Sequence, residues 1–280
     1  MRVVTRCEER YEYTMSSGTL RTVRTVRTLM ILALDTTTRG GSVAVADGDR
    51  MLAVLPGDES RTHGERLPGE LARALEQAGI RRDQIDLLAV ATGPGAFTGL
   101  RIGLAAIQGL AMTLNKQVIG ISALDALAEQ VDTGERALRE RVGTTGEAAE
   151  RSDAAVMILP WMDAQRGDVF ATLIDRATGT TIEPPTAASP QQLLDSWRVH
   201  LAGRDAIFIG DAAERDAAVI ARSANGRWRT RTPAPLAPQI ARLGHRRAQH
   251  GEGGSPHTLE PIYVRRPDAE IERERSQGRR

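Results

Sequence analysis

The stretch ILALDTTTRGGSVAVADGDRMLAVLPG, residues 31–57, decides the fold. An apolar run ends on Asp35, and Thr36, Thr37 and Thr38 lead into a polar turn closed by Gly40 and Gly41. An alternating strand then reaches a second turn at Gly48, and a third strand follows. This reads as a meander of three antiparallel strands. Apolar spacing next predicts a helix over 65–78, with Leu67, Leu71, Leu75 and Ala78 on one face. The run IDLLAVATG is a buried strand, 98–114 a helix, QVIGIS a short strand and ALDALAEQV another helix. The order is βββαβαβα.

The rest of the chain repeats that opening in shorter form. AAVMILPWMDA and GDVFATLIDRATG read as two strands around a tight turn, followed by a helix near 190–201, the strand AIFIGD, a helix after Asp211 and a last helix over 236–249. The expected organisation is a leader at 1–29, either disordered or the product of a start assigned too early, and a first lobe at 30–131. A charged insertion or linker at 132–153, a second lobe at 154–235, a segment at 236–266 returning to the first lobe and a frayed tail at 267–280 complete it.

Composition narrows the classes. The 37 basic residues nearly cancel 36 acidic ones, leaving a formal charge of +1, so no global field argues for nucleic acid held directly and tightly. One cysteine, Cys7, excludes an internal disulfide framework and a cysteine-rich zinc site, and suits a reduced, cytoplasmic setting. The longest apolar run is interrupted by Arg101, Gln108 and Asn115, which predicts no membrane span.

Asp35, at a strand end and followed by hydroxyls, admits two readings. It either handles a phosphate and its metal ion, or it caps its own turn. Asp163 stands at the matching point of the second strand pair, and the two acidic turns would face each other across a cleft. Gly93, Pro94, Gly95, Gly99 and Gly103 fall within eleven residues. They match neither a Walker loop nor a dinucleotide fingerprint. Thr98 is placed to cap the following helix, where Gly99, Gly103 and Ala106 at i, i+4 and i+7 leave one face almost bare. A bare face implies close approach by another backbone, from its own core or from another chain. The histidines at 63, 200, 245, 250 and 257 form no HExxH or HxxxH pair, and most are expected on the surface.

The motifs ILALDTTTRGGSVAVADGD, GPGAFTGLRIGLAAIQGLAM, VIGISALDALA, MDAQRGDVFATL and EPIYVRR, in this order, resemble the TsaB (YeaZ) family over about 30–266. The resemblance implies an α/β, actin-like, two-lobed fold of the sugar-kinase and Hsp70 superfamily, with mixed sheets and flanking helices. It implies a non-catalytic partner subunit of the complex that transfers a threonylcarbamoyl group to adenosine 37 of tRNAs reading codons that start with A. An ATP-dependent phosphotransferase or a peptidase of the same superfamily is the alternative. The catalytic TsaD paralogue carries a metal-binding HxxxH just after the strand equivalent to VIGIS; Ala123 and Leu127 stand there in this chain and cannot bind metal. The resemblance further implies a degenerate nucleotide site at Asp35, Thr36, Thr37 and Asp163, and no cofactor of the chain's own, with ATP at the complex interface. The implied partners are a TsaD-like paralogue and a TsaE-like ATPase, with a homodimer in their absence and tRNA only through the complex. The implied interface is the helix pair bearing Leu67, Leu71, Leu75, Gly99, Gly103 and Ala106.

Overall fold

The structure, a computed structural model, describes residues 9–16, 19–26, 28–142, 156–224 and 227–265. Near the start, β1 (Glu9–Ser16) and β2 (Thr19–Val26) pair as an antiparallel hairpin. Within those two segments, pairing replaces the expected disorder.

The first lobe is built on β3 (Met30–Asp35), β4 (Ser42–Asp47), β5 (Arg50–Pro56), β6 (Leu87–Gly93) and β7 (Gln117–Ser122). Their order across the sheet is β5-β4-β3-β6-β7, an antiparallel meander extended by two parallel strands. Parallel neighbours need a crossover, and α1 (His63–Ala78) and α2 (Phe97–Leu114) supply it on one face. Leu67, Ala74, Leu100, Leu104 and Ile107 from these helices meet Leu32, Leu34, Val43 and Val90 from the sheet.

The second lobe repeats this plan with β8 (Val156–Asp163), β9 (Val169–Asp175), β10 (Thr180–Ala188), β11 (Asp205–Ile209) and β12 (Trp228–Arg231), in the order β10-β9-β8-β11-β12. The duplicated order makes this the actin-like, two-lobed α/β fold. It also corrects the expectation of an abbreviated second half, since the meander there has its third strand and the sheet its fifth. The helix expected near 190–201 is two short ones, α4 (Pro190–Ser196) and α5 (Arg198–Leu201). The segment after Gly210 likewise divides into α6 (Asp211–Arg215) and α7 (Ala217–Ser223).

One core joins the lobes. The helix α3 (Ala123–Val142) runs between the sheets, and α8 (Ala237–Gln249) lies on the first sheet against β3, β4, β6 and β7. Ala91, Ile121 and Leu127 therefore share a cluster with Ile158, Met162, Ile209 and Ile240. The helical backbone continues to Val142, well into the segment expected to be an exposed linker. The remainder of that insertion and the tail expected at 267–280 lie outside the described residues.

Two further expectations change. α2 starts at Phe97 rather than Thr98, and no side chain caps it; Ala96 N instead donates to Thr37 O at 2.9 Å and fixes the helix entry. By length and composition α2 is also apolar enough to cross a membrane, contrary to the expectation from its interrupted run. Here it is packed, with Leu100, Leu104, Ile107 and Ala111 buried.

Candidate functional site: the cleft between the lobes

The turn after β3 forms one wall of the cleft. Asp35 is 1% exposed, and its own turn uses up its carboxylate. Oδ1 accepts from Thr37 N at 2.8 Å and Thr37 Oγ1 at 2.6 Å, and Oδ2 accepts from Thr38 Oγ1 at 2.9 Å. Burial pushes its pKa up, against the lowering effect of those donors. The side chain thus serves the turn. Thr37 and Thr38 line the cleft, Asp35 does not, and Thr36 is buried beneath it.

Asp163 ends β8 on the opposite lobe and does line the cleft. Its Oδ1 accepts from Gln165 N at 3.1 Å and from an Arg215 guanidinium nitrogen at 2.5 Å, while its backbone N donates to Asp211 Oδ1 at 2.9 Å. Arg215 is also held by Asp216, which raises its pKa, and Asp216 in turn accepts from Trp161 Nε1 at 2.9 Å. The expected pair of acidic turns is therefore not formed: Asp163 opens to the cleft, and Asp35 is sealed under its hydroxyls.

The glycine face of α2 also finds its partner inside the lobe. A Cβ on Gly99 would overlap Thr36 O and stand 3.0 Å from His63 Cδ2; one on Gly103 would overlap Thr36 Oγ1. Gly95 meets Thr37 in the same manner, with Thr37 O 2.5 Å from its Cβ position. These glycines let the turn after β3 sit directly against the start of α2. Leu67 is buried, and Leu71, Leu75 and Ala106 are half-buried against the same core. The six residues expected to form an interface thus face their own lobe, in whole or in part. What the pair α1 and α2 leaves exposed is a shifted stripe: Gly64, Pro68, Gly69 and Ala72 on α1, and Ala105, Gly109 and Met112 on α2. Met112 is 57% exposed, and Cβ positions at Gly69 and Gly109 meet nothing within 4 Å. The spacing 105, 109, 112 is the same i, i+4, i+7 pattern as 99, 103, 106, so the sequence carried the signal twice.

Sequence reasoning passed over a buried network beside this turn. Arg66, 4% exposed, pairs with Glu70 at 2.7 Å one helical turn on and also donates to Gly40 O, which pins the Gly40–Gly41 turn to α1. His63 stands between Thr38 O at 3.1 Å and an Arg66 nitrogen at 2.8 Å. Burial and then the Arg66 charge lower its pKa, so the neutral imidazole donates to the carbonyl and accepts from the guanidinium. An i, i+4 Arg–Glu pair on the apolar face of a predicted helix was the available clue.

The cleft has a volume of about 1050 Å³ and a polar lining that includes Arg39, Arg61, His63 and Arg215. It is roomy enough for a nucleotide-sized ligand. Of its titratable groups, His63, Asp163, Asp211 and Arg215 are held by protein partners. Among the described residues no three His, Cys, Asp or Glu side chains cluster as a metal site would require. Ala123 and Leu127 lie in the shared core at 0% and 2% exposure.

Comparison with known proteins adds the following. The family described as "TsaD: tRNA N6-adenosine threonylcarbamoyltransferase" matches residues 49–141. The TsaB protein of Haemophilus influenzae is 39% identical over 101 residues, covering 36% of this chain and 42% of that protein. The TsaB protein of Escherichia coli is 31% identical over 145 residues, covering 51% and 53%. The chain spans about half the length of the curated relatives it matches. Among solved structures, a Pseudomonas aeruginosa protein described as similar to the peptidase YeaZ superposes with a TM-score of 0.64 at 25% identity, covering 85% of this chain and all of that one.

Proposed function

We infer that this chain, a relative of the TsaB (YeaZ) proteins, takes part in tRNA threonylcarbamoyladenosine biosynthesis as a non-catalytic partner of a TsaD-like transferase. Relatives that carry the TsaB name, and the partial match to the TsaD family, support the pathway. The partner role rests on one structural observation: α1 and α2 expose a stripe in which Gly69 and Gly109 have no packing reason within the chain. Each helical glycine costs about 1 kcal/mol relative to alanine. An internal neighbour explains Gly99 and Gly103, and close approach by a second helix pair explains Gly69 and Gly109.

In this reading the stripe receives the TsaD-like paralogue, or a second copy of this chain in its absence, and the two assemblies exclude one another. A TsaE-like ATPase completes the complex, and tRNA is modified only there. The chain needs no cofactor, ATP is handled at the complex interface, and the setting is cytoplasmic. The commitment of Asp35, His63, Asp163 and Arg215 to structural partners supports a site that positions rather than reacts.

The test is reconstitution with threonylcarbamoyl-adenylate, tRNA, the paralogue and the ATPase. Modified adenosine is expected only when this chain and the paralogue are both present. Full modification without this chain, or modification by this chain alone, would refute the reading. Gly109→Leu is expected to abolish pairing without lowering the melting temperature.

A further inference from the structure

A second cavity, of about 360 Å³, opens beside the main cleft between the glycine loop, the turn after β8 and a strap formed by residues 256–265. The strap is held along its length. Ile262 N donates to Thr92 O at 2.7 Å, Gln108 Nε2 donates to Pro256 O at 3.0 Å, and Arg265 donates to Ala164 O at 3.2 Å and pairs with Asp168. The cavity walls are thereby fixed by both lobes.

Its lining is unusual for this chain. Only nine aromatic residues exist in 280, three each of Phe, Tyr and Trp, yet Phe97, Phe170 and Tyr263 all line this one cavity. Phe97 and Tyr263 are each 40% exposed, whereas Trp161, Trp197 and Phe208 are buried in the second lobe. The two exposed rings stand 5.6 Å apart between centroids, tilted by 33°. Arg101 lies 3.8 Å over the Phe97 ring and donates through Nε to the Tyr263 hydroxyl at 3.1 Å. The rings are thus oriented in advance, so little rotamer freedom remains to be lost when a planar group binds. Core packing does not require an aromatic pair at a solvent-exposed mouth.

We propose that this cavity takes an unpaired nucleobase of an RNA strand, stacked at the Phe97–Tyr263 mouth. The volume suits one base, and aromatic faces with an adjacent guanidinium are the usual platform for unstacked bases. Local charge suits the attached phosphates. Arg101 stands at the ring pair and Arg166 in the lining, while the acidic groups are paired, Asp163 with Arg215 and Asp168 with Arg265. Gln165, at the rim, offers amide groups to a base edge. The proposal deepens the tRNA reading above and rests on it for the identity of the RNA. It is also consistent with a net charge of +1, because a single stacked base needs little counterion release.

The test uses the isolated full chain and a fluorescently labelled single-stranded hexaribonucleotide, read by anisotropy, beside the same strand with abasic positions and beside adenosine monophosphate. The base-bearing strand is expected to bind more tightly than either. Phe97→Leu and Tyr263→Leu, at melting temperatures matching wild type, are expected to lower its affinity by roughly 5- to 150-fold. Val199→Ala, at an 82% exposed position on the second lobe, is expected to leave affinity unchanged. Equal binding of the abasic strand, or equal binding of the mononucleotide, would overturn the proposal. So would unchanged affinity in both ring variants, or burial of Tyr263 by the protein partner in the absence of RNA. Base binding is read on the isolated chain and modification on the reconstituted complex, so the two readings fail separately.

Discussion

Gly103→Ala and Gly109→Ala make the same chemical change in the same helix, and the structure assigns them opposite signs. At 109 the added methyl meets nothing within 4 Å, so the only effect is the gain in helix propensity, about 1 kcal/mol of stabilisation. At 103 the same gain is available, but the methyl overlaps Thr36 Oγ1 and lies 3.1 Å from Thr36 Cβ and Cγ2. Rotating Thr36 does not relieve this, since its Cβ is itself 3.1 Å from the added methyl and the residue is 1% exposed. Overpacking of this kind costs about 1–3 kcal/mol, which leaves a net loss of about 1 kcal/mol after the propensity gain. The variants are therefore expected to differ by about 2 kcal/mol, or roughly 4–8 °C in melting temperature for a chain of this size. Scanning calorimetry of the isolated chain measures it, and Thr36→Ala in the Gly103→Ala background is expected to recover much of the loss. A Gly103→Ala protein as stable as wild type or more so would refute the assignment of this glycine to the lobe interior.

Other outcomes follow from the buried polar groups. Asp35 has a raised pKa in the folded chain, so its contribution favours folding below the unfolded carboxylate value and is lost as pH rises through the folded one; Asp35→Asn removes that acid-side contribution and is expected to steepen the acid limb of a urea-unfolding pH series while being at least as stable at neutral pH. A shallower acid limb in the variant would contradict this. Glu70→Ala strands the buried Arg66 charge and is expected to cost about 3–5 kcal/mol by denaturant unfolding, whereas a loss below 1 kcal/mol would show that water reaches the guanidinium. His63, with its pKa lowered, is expected to titrate below the ordinary imidazole value in an NMR series, and stability should fall as pH drops below the unfolded imidazole value, because the unfolded chain binds that proton more readily. An ordinary titration would refute its burial between Thr38 and Arg66.

The sequence by itself determined the first lobe, because each element there is specified locally. Alternating and continuous apolar runs over 31–57 dictate strands, turn residues separate them, and a 3.6-residue period marks α1 and α2. It failed at β10, where TTIEPPTAA carries Pro184 and Pro185 and reads as non-strand. Proline is tolerated there because β10 is the sheet edge, with register shifts on both sides of Glu183, and edge position is a property of the assembled sheet. The tertiary structure likewise decided which glycines face inward. Residues 99, 103 and 106 and residues 105, 109 and 112 obey one spacing, and only the seating of α2 on the Thr36 turn separates the interior stripe from the exposed one. It decided Asp35 in the same way. A carboxylate before three threonines can face a ligand or its own turn, and here Gly95, Gly99 and Gly103, more than fifty residues away, let Thr36 pack under α2 while Thr37 and Thr38 cover the carboxylate at the cleft wall.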